Sequence, residues 1–290
     1  MEIITFVQIN VDKWSFHHSQ YSILLLIMVS KLCFIDWDDT LLCSSWIVHM
    51  KKLFGNDVPE LRPSFSLLEA AICKLLDTIR NAGYRIYIIT NSETGWVELA
   101  SRRYIPSVLD KLEEFSIPII SARSQYEAVH GKSQNPLDAV EWKKEAFMNL
   151  LQSFCIAGKN EEKENIYALC GYIPADPSGL IFDQHIQVPT KVELLVIGDS
   201  HLDVQAAESA STIPSVKVKI IKCIEFPNIF TLITQLRHMA DTFDSLMIND
   251  KHINICPDLV VQEAKLLDSK LQVIVSSVDK PKNEEPVKVC

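Results

Sequence analysis

Short apolar runs alternate with amphipathic stretches from residue 31 onward. This alternation predicts βαβ units and a parallel sheet, and therefore an α/β fold. The apolar runs predict five strands, at residues 32–36, 85–90, 117–121, 192–197 and 216–221. Residues 41–63 carry no such run and contain several glycine and proline breakers, so we expect them to be irregular.

Apolar spacing predicts four main helices, at residues 66–82, 95–115, 141–155 and 227–243. Gly83 is expected just past the end of the first helix, at the C′ position. Pro106 is expected to divide the second stretch if it forms two helices. Pro227 is expected in the first turn of the last helix, where proline is favourable.

The same pattern predicts three parts of the chain. Residues 1–30 are expected to be an N-terminal extension outside the fold, and residues 31–245 a catalytic domain with a small irregular insertion at 158–190. Residues 246–290 are expected to hold a short helix near 258–267 and a disordered tail. The apolar run at 23–29 is far shorter than the roughly 20 residues needed to span a bilayer, so no membrane association is expected.

Composition narrows the function classes. With 48% apolar residues in a chain of 290, an ample core is available, and the net charge of −9 disfavours nonspecific nucleic-acid binding. The eight cysteines are dispersed without a Cys-x-x-Cys pair, which is typical of reduced thiols in a cytoplasmic protein. Composition leaves the oligomeric state open.

Acidic residues follow two of the predicted strands. Asp36 and Asp38, with Thr40 after them, end the first strand, and Asp199 and Asp203 end the fourth. If these strands are neighbours, the carboxylates can form one site for a hard cation such as Mg²⁺. Asp-x-Asp can equally be a polar turn, and Ser200 can simply cap a helix.

Four sequence features, taken together, resemble a known protein family. Asp-x-Asp-x-Thr at 36–40, the apolar run ending in Thr90-Asn91-Ser92, Lys143 at a predicted helix start, and Gly-Asp-Ser-x-x-Asp at 198–203 occur in that order. In this order they resemble the haloacid dehalogenase superfamily of phosphohydrolases. The resemblance covers roughly residues 32 to 222.

The resemblance implies a Rossmann-like three-layer sandwich with strand order 5-4-1-2-3. It implies that Asp36 is the nucleophile that takes the phosphoryl group and that Asp38 is the general acid and base. Thr90 and Asn91 would bind the phosphate. Lys143 would offset negative charge there, with Lys144 as a rival for that role.

The resemblance also implies a Mg²⁺ site made by Asp36, the backbone carbonyl of Asp38 and Asp199. Asp203 would either complete that site as a ligand or hold the other ligands in place without binding the ion. The expected activity is hydrolysis of a phosphomonoester, on a small molecule or a phosphoprotein. Two alternatives remain: a phosphotransferase such as a mutase, and a catalytically silent interaction module with the same fold.

Segment lengths bear on access to this site. The stretches after the first strand and after the third are too short for the large cap domains of the family. The chain therefore resembles minimal-cap members, whose open sites often take macromolecular substrates.

Overall fold

The computed structural model describes residues 4–6, 26–54, 62–132, 138–169, 191–248 and 253–254. The strands are β1 Ile4–Phe6, β2 Leu26–Ile35, β3 Arg85–Thr90, β4 Ile119–Ser121, β5 Lys191–Gly198, β6 Val216–Lys222 and β7 Ile253–Asn254. The helices are α1 Ser44–Phe54, α2 Arg62–Asn81, α3 Trp96–Tyr104, α4 Pro106–Glu114, α5 Ala122–His130, α6 Asp138–Leu169, α7 His201–Ala210 and α8 Ile229–Ile248.

Five parallel strands form the centre of one sheet, in the order β4-β3-β2-β5-β6. This order confirms the predicted 5-4-1-2-3 arrangement and makes β2 and β5 neighbours. Their register pairs Leu32 with Leu194 and Ile35 with Ile197, so both strands reach the same edge together. Open parallel sheets bind ligands at this carboxyl edge.

Two short strands were not predicted. β1 pairs antiparallel with the start of β2, and β7 pairs parallel with the outer edge of β6. β2 begins at Leu26, six residues before the predicted strand, because residues 26–28 pair with β1 and residues 29–31 pair with β5. The strand leading to Asp36 therefore starts inside the predicted extension, while the domain boundaries themselves stay predictions.

Side chains alternate across the sheet and form a core on each face. Cys33 and Ile35 of β2 point to one face, where α2 and α8 pack, whereas Phe34 points to the other, against α6 and α7. Phe34 is almost fully buried and meets Phe147 edge to face at 4.9 Å between ring centres. Burial of such a side chain contributes about 1.5–3 kcal/mol. The architecture is thus helix, sheet, helix.

Two predictions about helix ends are confirmed, for Gly83 and for Pro106. The N–H groups of Gly83 and Tyr84 donate to the carbonyls of Arg80 and Ile79, which is the Schellman pattern. Gly83 has φ 87°, a left-handed value that favours glycine at this C′ position. Pro106 separates α3 from α4, so the stretch 95–115 contains two helices.

Three local predictions were wrong, and one helix had no prediction. α1 lies within the stretch expected to be irregular, because the breakers fall at or beyond its end. α5 was not predicted, and α6 continues to Leu169 through the charged start of the expected insertion, whose Glu and Lys residues favour helix. Pro227 precedes α8, because the Asn228 side chain caps the helix by accepting from the N–H groups of Phe230 and Thr231 at 3.0 and 2.9 Å.

Several predictions fall on residues that the structure does not describe. These are the rest of the insertion at 170–190, the helix near 258–267 and the C-terminal tail. Among the helices of the described ranges, none combines the length and apolar character that crossing a membrane requires.

Candidate active site

Asp36 and Asp199 lie side by side because their strands are neighbours. Asp36 directly follows β2, and its backbone N–H donates to the carbonyl of Ile197 on β5 at 2.9 Å. Asp199 directly follows β5. Both residues are only 7% exposed, so the sheet edge holds two nearly buried carboxyl groups.

Asp203 joins these two residues to form a three-carboxylate cluster. Asp36, Asp199 and Asp203 each place one ligand oxygen within 4.8 Å of the others. The Nζ atom of Lys143 lies 2.6 Å from Oδ1 of Asp36 and 2.5 Å from Oδ1 of Asp203. Its side chain is 3% exposed. One buried ammonium group therefore bonds two of the three carboxyl groups, while the charge of Lys222 also acts on Asp199.

Burial, together with the charges of the neighbouring groups, sets the directions in which the pKa values of these residues shift. Burial raises the pKa of Asp36 well above its usual range, and Lys143 offsets only part of this effect. Burial raises the pKa of Asp199 to about 6, and the charge of Asp203 adds to the rise. Burial alone would lower the pKa of Lys143, but the charges of Asp203 and Asp36 outweigh it and raise that pKa. The lysine is thus a fixed cation at neutral pH.

The structure separates the two rival lysines. Lys144, one residue further along α6, pairs with Glu141 at 2.9 Å on the protein surface. A helix turns by about 100° per residue, so adjacent side chains point in different directions. Lys143 therefore faces the acidic cluster and Lys144 does not.

Thr40 connects the two strand ends. Its hydroxyl oxygen lies 3.4 Å from Oδ2 of Asp36 and 3.3 Å from Oδ1 of Asp199, and it accepts from the Asp199 backbone N–H at 3.0 Å. Lys222, at the end of β6, donates to the backbone carbonyl of Asp199. Together these contacts hold Asp199 from both of its neighbouring strands.

Asp203 is fully engaged by its surroundings. Its Oδ2 accepts from the N–H and hydroxyl of Ser200 at 3.2 and 2.8 Å, which completes a capping box at the start of α7. Its Oδ1 holds Lys143. A Cβ atom on Gly198 would lie 2.3 Å from Cγ of Asp203, so the glycine leaves the space that this side chain fills. Ser200 therefore caps α7, and Asp203 lies beside Asp36 and Asp199, while its role there stays a prediction.

Asp38 lines the same cleft but is not part of the three-carboxylate cluster, and it accepts four hydrogen bonds. Ser44 Oγ and Trp96 Nε1 donate to its Oδ1 at 2.5 and 2.9 Å. Ser92 Oγ and Thr90 Oγ1 donate to its Oδ2 at 2.7 and 3.2 Å. The carboxylate is therefore held in one orientation by the residues that begin α1 and α3 and by residues at and just beyond the end of β3.

Thr90 and Asn91 lie at the end of β3, next to β2. Thr90 is buried, donates to Asp38, and accepts from the N–H of Ser92 at 3.0 Å. Asn91 donates through Nδ2 to the carbonyl of Ala139 at 3.1 Å. Both side chains line the same cleft as Asp36, so the structure brings the predicted phosphate ligands and the predicted nucleophile together.

A cleft of about 540 Å³ contains these groups. Its remaining wall comes from Ser44, Ser45 and Val48 on α1 and from Leu202 on α7. The described part of the segment between β2 and α2 contains one helix, α1, and that helix borders the cleft. The lining thus combines charged side chains from the strand ends and α6 with uncharged side chains from α1.

Sequence reasoning missed several of the polar groups in this cleft. Ser44 and Ser45 fell in the stretch predicted to be irregular, although two serines directly before an apolar segment are a helix-start signal. The serine of Thr90-Asn91-Ser92 was visible but had no assigned role. Lys222 carried no signal, because its contact with Asp199 depends on the order of the strands.

Three residues near the predicted motifs do not line the cleft. Arg123 pairs with Glu127 at 2.8 Å and with Glu93 at 3.6 Å, so it is held outside the phosphate site. The Trp37 side chain is fully buried in the core. Asp39 has φ 57° and accepts from the N–H of Ser45 at 3.0 Å, which makes it a structural residue of the loop.

No protein-family model, curated protein or solved structure matches this chain at a significant level.

Proposed function

We propose that this chain is a Mg²⁺-dependent phosphatase of the haloacid dehalogenase type, which hydrolyses phosphomonoesters through a phosphoryl group carried on Asp36. One observation carries the proposal: a buried carboxylate beside a buried lysine shares one cleft with a second, separately held carboxylate. Asp36, with Lys143 beside it, is suited to nucleophilic attack on an anionic ester, and Asp38 is suited to proton transfer. Thr90 and Asn91 form a third, neutral side suited to phosphate oxygens.

The residues present fit a divalent cation. Three oxygens of Asp36, Asp199 and Asp203 lie within 4.8 Å of one another, and their charge exceeds what Lys143 offsets. Asp36 and Asp199 would hold the ion. The oxygens of Asp203 already bond Lys143 and Ser200, so Asp203 would help to position the site without binding the ion itself. When bound, such an ion supplies positive charge that offsets repulsion between the carboxylate and the phosphoryl oxygens.

In the first step, an oxygen of Asp36 attacks phosphorus and the bond from phosphorus to the leaving oxygen breaks. Lys143, already hydrogen-bonded to Asp36, keeps that carboxylate in place and favours its ionised form. Thr90 and Asn91 orient the phosphoryl oxygens, and Asp38 gives its proton to the leaving oxygen. Positioning and electrostatics supply most of the rate in phosphoryl transfer.

In the second step, a water molecule attacks the phosphoryl group on Asp36. Asp38, now ionised, takes the proton of that water. Inorganic phosphate leaves, the Asp36 carboxylate is restored, and Asp38 holds the proton that the next turnover needs. The same side chain thus serves as acid and then as base.

The test is phosphate release from a panel of phosphorylated metabolites and phosphopeptides, with Mg²⁺ or with EDTA. Wild type should release phosphate only with the metal, and Asp36→Asn should lose activity by a factor of about 10³ or more, as expected for removal of a nucleophile. Asp39→Asn is the matched control, because Asn keeps the oxygen that accepts from Ser45 and tolerates the left-handed backbone. It should retain most of the activity.

The outcomes separate the candidate classes. Release of inorganic phosphate supports a hydrolase, whereas transfer of phosphate to a second organic acceptor supports a phosphotransferase. A folded protein that turns over no substrate in the panel, with or without Mg²⁺, contradicts the proposal and favours an interaction module.

A further inference from the structure

We propose that Trp96 is a positioning residue that holds the Asp38 side chain in the orientation from which it exchanges a proton with the leaving group. This inference rests on the proposed function, because it concerns the residue that acts there as acid and base. The geometry points to it through the four donors around Asp38.

The four donors are of two chemical kinds. Ser44, Thr90 and Ser92 donate through hydroxyl groups, which can rotate and accept a hydrogen bond instead. The indole of Trp96 can only donate. It lies 2.9 Å from Oδ1 of Asp38, so that oxygen must keep a lone pair directed at the indole.

Trp96 is therefore the donor that fixes the orientation of Asp38. The three hydroxyl groups can change from donor to acceptor, whereas the indole N–H always needs an acceptor and keeps Oδ1 on its own side. Oδ2 then lies nearest Thr90 and Ser92, at 3.2 and 2.7 Å, on the side of the predicted phosphate ligands. The indole contact thus presents Asp38 to the phosphate-binding side in one orientation.

The backbone around Trp96 fixes the indole. Trp96 is the first residue of α3, and its N–H donates to the carbonyl of Glu93 at 3.1 Å. Gly95 before it has φ 89°, a left-handed value that lets the chain turn sharply into the helix. The ring packs, partly buried, against the larger core cluster. A residue held in this way can orient another side chain without touching the substrate.

The bond that breaks in the first step determines how much this positioning matters. A nitrophenolate leaves readily without a proton, whereas an alkoxide needs the proton of Asp38 as its bond to phosphorus breaks. Loss of the Trp96 N–H should therefore slow the ester with an alkoxide leaving group far more than the ester with a nitrophenolate.

The experiment compares p-nitrobenzyl phosphate with p-nitrophenyl phosphate in wild type and Trp96→Phe. We expect Trp96→Phe to lower kcat at least about tenfold on the benzyl ester and less than about threefold on the phenyl ester, with KM nearly unchanged. Trp142→Phe is the matched control, because among the described residues the Trp142 indole N–H has no acceptor. It should change neither rate.

The outcomes distinguish this inference from the proposed function. Equal losses on both esters, or no loss on either, overturn the positioning role while the phosphatase activity of wild type stands. Absence of turnover by wild type on both esters and on every phosphorylated metabolite and phosphopeptide of the panel overturns the proposed function and this inference with it.

A second measurement applies if Trp96→Phe fails to fold. In a ¹⁵N spectrum of wild type, the assigned indole N–H signal of Trp96 should move upfield in Asp38→Ala, which removes the acceptor. An unchanged signal overturns the inference.

Discussion

The ammonium group of Lys143 is the most sensitive electrostatic feature of the site. Lys143→Met keeps a long unbranched side chain but removes the cation that lies 2.6 Å from Asp36 and 2.5 Å from Asp203. Both partners are nearly buried, so water cannot replace the lost charge. Removing one partner of a buried ion pair costs about 3–5 kcal/mol of folding free energy.

The size of this loss should depend on pH in a known direction. Burial already raises the pKa of Asp36, and removal of Lys143 takes away the effect that opposes it. The folded variant then binds a proton that the unfolded chain releases, so its stability falls as pH rises and recovers as pH falls. Each pH unit over which that proton is retained changes the free energy by about 1.4 kcal/mol.

Urea denaturation in EDTA, at about pH 7.5 and about pH 5.5, measures both effects. Lys144→Met is the control, because that lysine makes an exposed pair with Glu141, and its loss should change stability by less than about 0.5 kcal/mol. A loss below about 1 kcal/mol for Lys143→Met at the higher pH would refute the reasoning. So would a loss that does not shrink at the lower pH.

Two further predictions concern the same cluster. In Gly198→Ala, the new methyl group would lie 2.3 Å from Cγ of Asp203. This overpacking should destabilise the protein by about 1–3 kcal/mol, and loss of the helix cap at Ser200 would add about 1 kcal/mol. An unchanged urea midpoint would contradict this. Mg²⁺ should raise Tm more at about pH 7.5 than at about pH 5, because the metal competes with protons for Asp36 and for Asp199, whose pKa is about 6. Equal increases of Tm at the two pH values would contradict the metal site. Without metal, Asp199 should have the opposite effect and stabilise the folded state as pH falls through 6, because its pKa is raised in the folded protein.

The features that the sequence alone determined are those with local causes. Apolar runs placed all five central strands to within a few residues, apart from the early start of β2 at Leu26. Gly83 ends α2 because a left-handed residue is needed there, and Pro106 divides two helices because it lacks a backbone N–H. Asp36 and Asp199 could be placed at strand ends because each directly follows its own apolar run.

Helix prediction failed where tertiary contacts outweigh local breakers. The segment that forms α1 looked irregular because of the glycine and prolines after it, yet Ile47 is buried in the core and α1 forms one wall of the cleft. Local propensity is a weak prior that packing overrides.

Only the tertiary structure decided how the acidic residues are held. Residues 36, 143 and 203 are far apart in the chain, and their contact depends on which strands pair and which face of α6 turns inward. The same is true of Trp96, whose indole reaches Asp38 only because β2 and β3 are neighbours. A sequence pattern records which groups occur at the end of a strand. Their hydrogen-bond partners and shared charge depend on distances between segments, which are set when the sheet forms and the helices pack against it.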